Sequence, residues 1–168
     1  NTGIFSVING VLFRDLPAPG ADELVSIHQI FDDATMRQRF RSGEVSDFST
    51  SEYRRYRVGT RTLSGIMGYS RVGYGITLGG DAPQEIAGTF VTCNYFNVLR
   101  QPPALGPGFA NDCDAEGAGA TVVLGHDLWT STFGADPTIV GRTILLNRQP
   151  FTVVGVPPEG MRGVDMNP

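Results

Sequence analysis

The chain has 168 residues, 40% of them hydrophobic and 18% charged, which is the composition of one folded domain or two small lobes and not of a disordered segment. Its net charge of -4 gives no support for neutralising the phosphates of a nucleic acid, so no nucleic-acid partner is predicted. All 13 basic residues are arginine. Without lysine, the chain cannot contain a Walker A loop or form the Schiff base of a pyridoxal-phosphate enzyme.

The first thirteen residues form an apolar stretch. It is too short to span a bilayer, which takes about 20 residues. It also lacks the basic region that precedes the apolar core of a signal peptide. Composition alone therefore predicts a packed N-terminal helix. The apolar residues are Ile4, Phe5, Val7, Ile8, Val11, Leu12 and Phe13.

The middle of the chain predicts four strands and one helix. Alternating or β-branched runs indicate strands at residues 24–31, 67–72, 75–78 and 85–92. Ser46 is the predicted N-cap of a helix over residues 47–57, with Phe48, Tyr53 and Tyr56 on its apolar face. Because 22 glycines and 11 prolines also indicate many turns, we expect a strand-rich α+β protein.

Six of the 13 arginines fall between positions 37 and 57. Arg37, Arg39 and Arg41 alternate as on one face of a strand, and Arg54, Arg55 and Arg57 lie on the predicted helix. We interpret them as a solvated face paired with the nearby carboxylates of Glu44, Asp47 and Glu52. The alternative interpretation is a contact to lipid headgroups or to an acidic partner.

An acidic loop follows at Asp112, Asp114 and Glu116. The alternate carboxylates and Gly117 are similar to the start of a calcium loop, but the twelfth position, which needs a bidentate glutamate, is Val123. We therefore expect a solvated acidic loop. An enzyme that uses these carboxylates remains a minor alternative.

Residues 121–157 predict one folding unit with the order strand, helix, strand, strand. A β-branched strand at residues 121–124 ends at Gly125, and Asp127 opens a short helix that Gly134 closes. Pro137 and Gly141 mark a turn, and two strands follow at residues 142–146 and 151–156.

No catalytic, cofactor-binding or metal-binding residue is predicted. The two histidines, His28 and His126, are in no metal-ligand spacing, and the chain has no nucleophile elbow. The glycine pairs at 73/75 and 106/108 lack the third glycine of a dinucleotide fingerprint. The sequence therefore favours a domain that binds or braces over an enzyme.

The unit at residues 121–157 closely resembles the periplasmic core domain of MacB-like ABC-transporter permeases, especially the FtsX/MacB-like group described from acidobacteria. The resemblance includes the run LW..FG.DP..VG from Leu128 to Gly141 and the strand that ends at Pro157. Upstream, residues 94–99 are similar to the family's NYF.VL helix, and residues 1–17 to the end of its first membrane helix. One departure is Arg100, where the family usually has glycine.

The resemblance implies an α+β fold with a mixed sheet-and-helix porter-like lobe and a smaller inserted α/β lobe. Residues 1–17 would be the end of a transmembrane helix and the exit from the membrane. Residues 18–92 would form the porter-like lobe, and residues 93–168 the inserted lobe without the family's return segment. The side chains expected in the structural core are Phe96, Leu99, Trp129 and Phe133.

Two alternatives stay open for Cys93 and Cys113. In a cytosolic protein, two isolated cysteines are most often inert small hydrophobes. If the chain faces the periplasm, as the resemblance implies, a disulfide between them is allowed by the oxidising compartment.

The function that the resemblance implies is that of a non-catalytic extracytoplasmic domain of an ABC-transporter permease in the bacterial inner membrane. A separate ATPase subunit would supply the energy through the membrane part, and a periplasmic protein would be a further partner. No cofactor is expected. The alternative is a free-standing periplasmic or secreted binding module with the same fold.

Overall fold

The computed structural model of the chain describes residues 23–27, 48–79 and 83–161. Of these, residues 23–27 and 48–66 belong to one compact unit, and residues 67–79 and 83–161 to a second. The expected membrane exit at residues 1–17 lies outside the described residues, as does the second half of the strand predicted at 24–31. Residues 24–27 form no strand, so this part of the prediction is wrong.

The first unit contains a ten-residue helix, α1 (Thr50–Gly59). Its N-cap is Ser49, whose hydroxyl accepts a hydrogen bond from the Glu52 N–H at 3.3 Å. The Glu52 carboxylate in turn accepts from the Ser49 N–H at 2.9 Å. The prediction that the helix starts at residue 47 is wrong, because the reciprocal pair of a capping box needs Glu three residues after Ser, and only Ser49 satisfies that spacing.

We expect Ser49→Ala to destabilise the first unit by about 1 kcal/mol, because the first turn loses its side-chain acceptor. Faster hydrogen exchange at the Glu52 amide would report the loss. Ser49→Asp is the matched control, since aspartate keeps an acceptor at the cap and should restore the protection. Unchanged exchange in Ser49→Ala would contradict this role for the capping box.

The second unit is built on a five-stranded sheet whose strand order is β2-β1-β4-β5-β3. All neighbouring pairs are antiparallel except β3 and β5, which are parallel, so the sheet is mixed. With its helices, this sheet confirms the predicted α+β fold class. The strands are β1 (Tyr69–Leu78), β2 (Gln84–Val91), β3 (Thr121–Val123), β4 (Thr143–Leu146) and β5 (Gln149–Gly155).

The strands predicted at residues 67–72 and 75–78 are one strand, β1. Its pairing with β2 continues on both sides of the glycine-containing segment, and the register shifts between Val72 and Ile76. The glycines that suggested a break therefore mark an irregularity inside a strand, which is a common place for glycine.

The described residues of the second unit also form two α-helices and one 3-10 turn. They are α2 (Tyr95–Val98), α3 (His126–Phe133) and a single 3-10 turn at Pro137–Ile139. Gly134 ends α3 in the left-handed conformation, with φ of 61°, as its position in the sequence predicts. The predicted order of strand, helix, strand, strand over residues 121–157 is confirmed.

The core of the second unit lies where α3 packs on the sheet. The fully enclosed side chains include Ile139 and Val153, and Leu128, Trp129 and Phe133 of α3 pack against them while half-buried. The indole Nε1–H of Trp129 donates to the Asp136 carbonyl oxygen at 2.9 Å, which satisfies the one polar atom of the ring. The buried members of the cluster are Leu78, Leu124, Ile139, Ile144, Val153 and Val156.

Asp136 fixes the turn after α3. Its Oδ1 accepts from the Thr138 hydroxyl at 2.7 Å and from the Thr138 N–H at 2.8 Å, and its Oδ2 lies 3.2 Å from Arg142 Nη1. The Thr138 hydrogen bonds, with a smaller contribution from the Arg142 charge, hold the pKa of the Asp136 carboxyl below its usual range. The carboxylate is therefore ionised at neutral pH, which the cap of the 3-10 turn requires.

The division into a porter-like lobe and an inserted lobe at residue 92 stays a prediction. The five-stranded sheet draws β1 and β2 from before that position and β3, β4 and β5 from after it. In the described ranges, no helix has both the length and the hydropathy needed to cross a lipid bilayer.

Candidate functional site

The second unit has an open groove of about 820 Å³ beside α2. One wall is a long loop over residues 107–119, and the opposite side is formed by Asn97 of α2, Thr121 of β3 and Val154 of β5. The groove therefore lies where one end of the sheet meets its longest described connection.

The start of the loop is held against β5 by backbone hydrogen bonds. The Gly108 N–H donates to the Val154 carbonyl at 2.9 Å, and the Leu105 and Val156 backbones bond to each other. Gly106 has φ of 80°, and a Cβ placed on it would lie 2.5 Å from the Val154 carbonyl oxygen. Only glycine permits both this conformation and this approach.

We expect Gly106→Ala to lower the free energy of unfolding of the second unit by about 2 kcal/mol, because alanine meets both a positive φ and a backbone oxygen. Urea denaturation measures the loss. Gly117→Ala is the matched control: Gly117 also has a positive φ, of 84°, but nothing lies within 4 Å of its Cβ position. An equal loss in the two variants would show that the close approach to β5 contributes nothing.

The outer part of the loop is joined to the rest of the unit by side chains. A disulfide connects Cys93, two residues after β2, to Cys113 in the loop, with their Cα atoms 5.7 Å apart. Phe109 stacks on Phe96 of α2 with ring centroids 5.9 Å apart. Among the described residues, the backbone hydrogen bonds of residues 109–119 all stay within the loop. The disulfide and the stacked rings therefore determine where this wall of the groove lies.

The groove is acidic. Asp112 and Glu116 line it, and no basic or histidine side chain is among its lining residues. Its one cysteine, Cys113, is in the disulfide and is not available as a nucleophile. This arrangement presents carboxylates, an amide, backbone groups and an aromatic ring, which suit the binding of a ligand better than bond-breaking chemistry.

The structure separates the residues that we predicted from the sequence into two places. Leu99, 1% exposed, follows α2, and Phe96 is half-buried in its stack with Phe109. Trp129 and Phe133 lie on α3 against the sheet core and do not line the groove. Cys93 and Cys113 are joined to each other. Cys113 and Phe109 line the groove and are held by Cys93 and Phe96, whereas the α3 side chains belong to the core.

Within the part of the chain that the structure describes, the remaining features identified from the sequence do not form a second site. The ring of His126 packs against Trp129 with centroids 5.6 Å apart, and its Nδ1 lies 4.0 Å from Asp127 Oδ1. His28 lies outside the described residues. Over the described ranges, no group of three or more histidine, cysteine or acidic side chains is arranged to hold a metal ion.

Sequence reasoning missed the groove because its walls come from segments that are far apart in the chain. A signal was available in Gly106 and Gly108, which lie among three prolines at positions 102, 103 and 107. In the sequence, this glycine pair matches only an incomplete dinucleotide fingerprint. Their function in the structure is to let a loop lie against the backbone of β5.

Comparison with known proteins identifies one family. The model of the family described as MacB-like periplasmic core domain matches residues 1–167. No curated protein matches the chain.

Two solved structures share the fold. One is the extracellular domain of the noncanonic ABC-type transporter YknZ from Gram-positive bacteria, with 17% identity, a TM-score of 0.56, and coverage of 68% of this chain and 59% of that one. The other is the periplasmic region of MacB from Actinobacillus actinomycetemcomitans, with 20% identity, a TM-score of 0.55, and coverage of 74% and 56%. The matched part of the chain thus spans less than two thirds of either structure. At these identities the likeness establishes the fold alone.

Proposed function

We propose a function on the premise that this chain belongs to the family of MacB-like periplasmic core domains, whose model matches residues 1–167. The chain acts as a non-catalytic extracytoplasmic domain of an ABC-transporter permease subunit in the bacterial inner membrane, on the periplasmic side. It couples ATP hydrolysis in the cytoplasm to the handling of a partner or substrate outside. The family match along nearly the whole chain is the observation on which this proposal depends.

The composition of the chain supports an energy source elsewhere. None of its 13 basic residues is lysine, so no Walker A lysine can reach the phosphates of ATP here. A separate ATPase subunit therefore supplies the energy, and membrane segments of the permease transmit it.

The disulfide supports the extracytoplasmic location. Disulfides persist in oxidising compartments such as the periplasm and the cell exterior, whereas cytosolic thiols are kept reduced. Cys93 and Cys113 are 20 positions apart in the sequence, and the bond between them positions one wall of the groove. A domain that worked in the cytosol would lose this tether.

The acidic groove is the candidate contact surface for a periplasmic protein partner. It is lined by Asp112, Glu116 and Phe109, so it offers both negative charge and an aromatic ring. Aromatic side chains are enriched at protein interfaces, and flanking charges set the orientation of the partner. We place this groove on the inserted lobe, residues 93–168, of a two-lobed domain whose porter-like lobe is residues 18–92.

The topology of the protein in the cell tests the proposal. Thr132→Cys introduces a free thiol at an exposed position of α3, while the native cysteines are protected in their disulfide. In intact spheroplasts we expect a membrane-impermeant maleimide to label this thiol, because the domain lies outside the inner membrane. A cysteine placed in the ATPase subunit is the control and should react only after the membrane is permeabilised.

Two results would contradict the proposal. Labelling of Thr132→Cys only after permeabilisation would place the domain in the cytoplasm. Release of the labelled protein from membranes by an alkaline wash would show that it has no membrane anchor, and would favour the alternative of a free-standing periplasmic or secreted binding module.

A further inference from the structure

Helix α1 carries three exposed arginines and one exposed valine. The side chains of Arg54, Arg55 and Arg57 are exposed, and Val58 among them is 87% exposed. Arg54 and Val58 are four residues apart and Arg55 and Val58 are three apart, so both arginines adjoin the valine on the helix surface. We call these four residues the arginine face.

Two tyrosines of α1 contact neighbouring residues. Tyr53 is half-buried, and its hydroxyl donates to the Ile66 carbonyl at 3.3 Å. The Tyr56 ring meets Phe48 edge to face, with centroids 5.4 Å apart. Tyr56 is itself 45% exposed, so the described anchor of the helix is the Tyr53 hydrogen bond, and all four side chains of the arginine face are exposed.

The charges of the arginine face are not neutralised by their described neighbours. No carboxylate in the described parts of the chain forms an ion pair with Arg54, Arg55 or Arg57. Glu52, which the sequence suggested as a partner, directs its carboxylate to the N-H and hydroxyl of Ser49 in the capping box. Glu44 and Asp47, the other suggested partners, lie outside the described residues.

We infer that the arginine face of α1 binds the anionic phosphate headgroups of a lipid surface. Guanidinium groups form paired hydrogen bonds with phosphate oxygens, and an exposed aliphatic side chain between them can enter the boundary between headgroups and acyl chains. A free phosphate would use the guanidinium groups but would gain nothing from Val58. A flexible acidic chain such as polyglutamate would likewise bind the guanidinium groups without using Val58.

The strength of the contact is modest. Each arginine near an anionic surface increases binding about 5-fold, so three arginines alone give roughly 100-fold. Such a contact is weak for a free protein, but it becomes effective when the same molecule is already attached to the membrane, because the attachment raises the local concentration of the face. Only this last step rests on the proposed function; binding of the chain to vesicles does not.

Sedimentation of the 168-residue chain with lipid vesicles tests the inference. One set of vesicles contains equimolar phosphatidylglycerol and phosphatidylcholine, and the other contains phosphatidylcholine alone. The apolar residues 1–13 can enter both kinds of vesicle, so the difference between the two sets is the quantity measured. We expect this difference to disappear in salt that shortens the Debye length to about 3 Å.

Paired variants assign the binding to α1. Arg54→Gln with Arg57→Gln should weaken binding to the anionic vesicles about 25-fold, at roughly 5-fold for each arginine. Arg100→Gln with Arg148→Gln is the control, since it removes the same charge from exposed positions of the other compact unit and should leave binding unchanged. Val58→Ser should weaken vesicle binding a few fold without changing the charge.

Three outcomes would overturn the inference. Equal losses in the two double variants would show that only net charge matters. Binding that inorganic phosphate abolishes, with no effect of Val58→Ser, would indicate a site for a free anion. Binding of soluble polyglutamate through Arg54 and Arg57, without binding of vesicles, would indicate an acidic protein partner. None of these outcomes bears on the topology measurement, so a failure here is distinct from a failure of the proposed function.

Discussion

Replacing both Cys93 and Cys113 with alanine should lower the free energy of unfolding of the second unit by about 3 kcal/mol. The bond spans a sequence separation of 20 residues, and cross-linking a loop of this size removes that much conformational freedom from the unfolded chain. Urea denaturation under oxidising conditions measures the difference. Because little else attaches residues 109–119 to the unit, we also expect faster proteolysis in this loop than in β4 or β5.

Reduction provides the control for the cysteine variant. The parent protein treated with a phosphine reductant should unfold at the same urea concentration as the double variant, and the variant itself should not respond to the reductant. If the oxidised parent and the double variant unfold together, the disulfide neither stabilises the unit nor positions the wall of the groove.

Trp129→Ala should cost about 3 kcal/mol, close to the lower end of the range for large aromatic side chains in a core. The ring is half-buried against the sheet cluster, so less surface is lost than for a fully enclosed tryptophan. The substitution also leaves the Asp136 carbonyl without the indole N–H that now donates to it at 2.9 Å. Thermal or urea unfolding of the second unit measures the cost.

Trp129→Phe separates the two contributions. It keeps an aromatic ring on α3 but removes the hydrogen bond and the five-membered ring of the indole. Its cost should therefore be at least the roughly 1 kcal/mol of the hydrogen bond and less than that of Trp129→Ala. A loss well under 1 kcal/mol for Trp129→Ala would mean that α3 does not cover the sheet and that the arrangement of the core is wrong.

The part of the fold that could be predicted from the sequence is the part specified by local signals. In residues 121–157, a β-branched run, a left-handed glycine at Gly134 and the Pro137 turn each restrict the backbone independently, and they agree. The helix at residues 50–59 was predicted as an element, but its start was misplaced because Ser46 and Ser49 are both plausible caps until the partner Glu52 is considered.

The features that could not be predicted depend on contacts between distant segments. The strand β1 continues past its glycines because β2 pairs with it, and the β1–β4 contact brings together Leu78 and Leu146, far apart in the chain. Arg100 is a related case. It adopts a φ of 53°, which glycine adopts readily but which an arginine in the sequence does not predict.

Individual residues of the candidate groove could be identified from the sequence, but the groove itself could not. Cys93, Cys113 and Phe96 stood out in the sequence, but neither the pairing of the cysteines nor the stack of Phe96 on Phe109 follows from their spacing. The acidic residues predict a solvated loop, because the calcium-binding pattern that they begin has Val123 where it needs a glutamate. Asp112 and Glu116 line a groove because Gly106 lets the start of their loop pack against the backbone of β5.

The most direct test of the account is whether ATP hydrolysis elsewhere moves this domain. The measurement is the emission of an environment-sensitive fluorophore attached to Thr132→Cys, in the complete permease reconstituted into lipid vesicles with its ATPase subunit. We expect ATP to change the emission only when a competent ATPase subunit is present. An emission that ATP leaves unchanged, or that ATP changes equally when the ATPase subunit is omitted, would contradict the account.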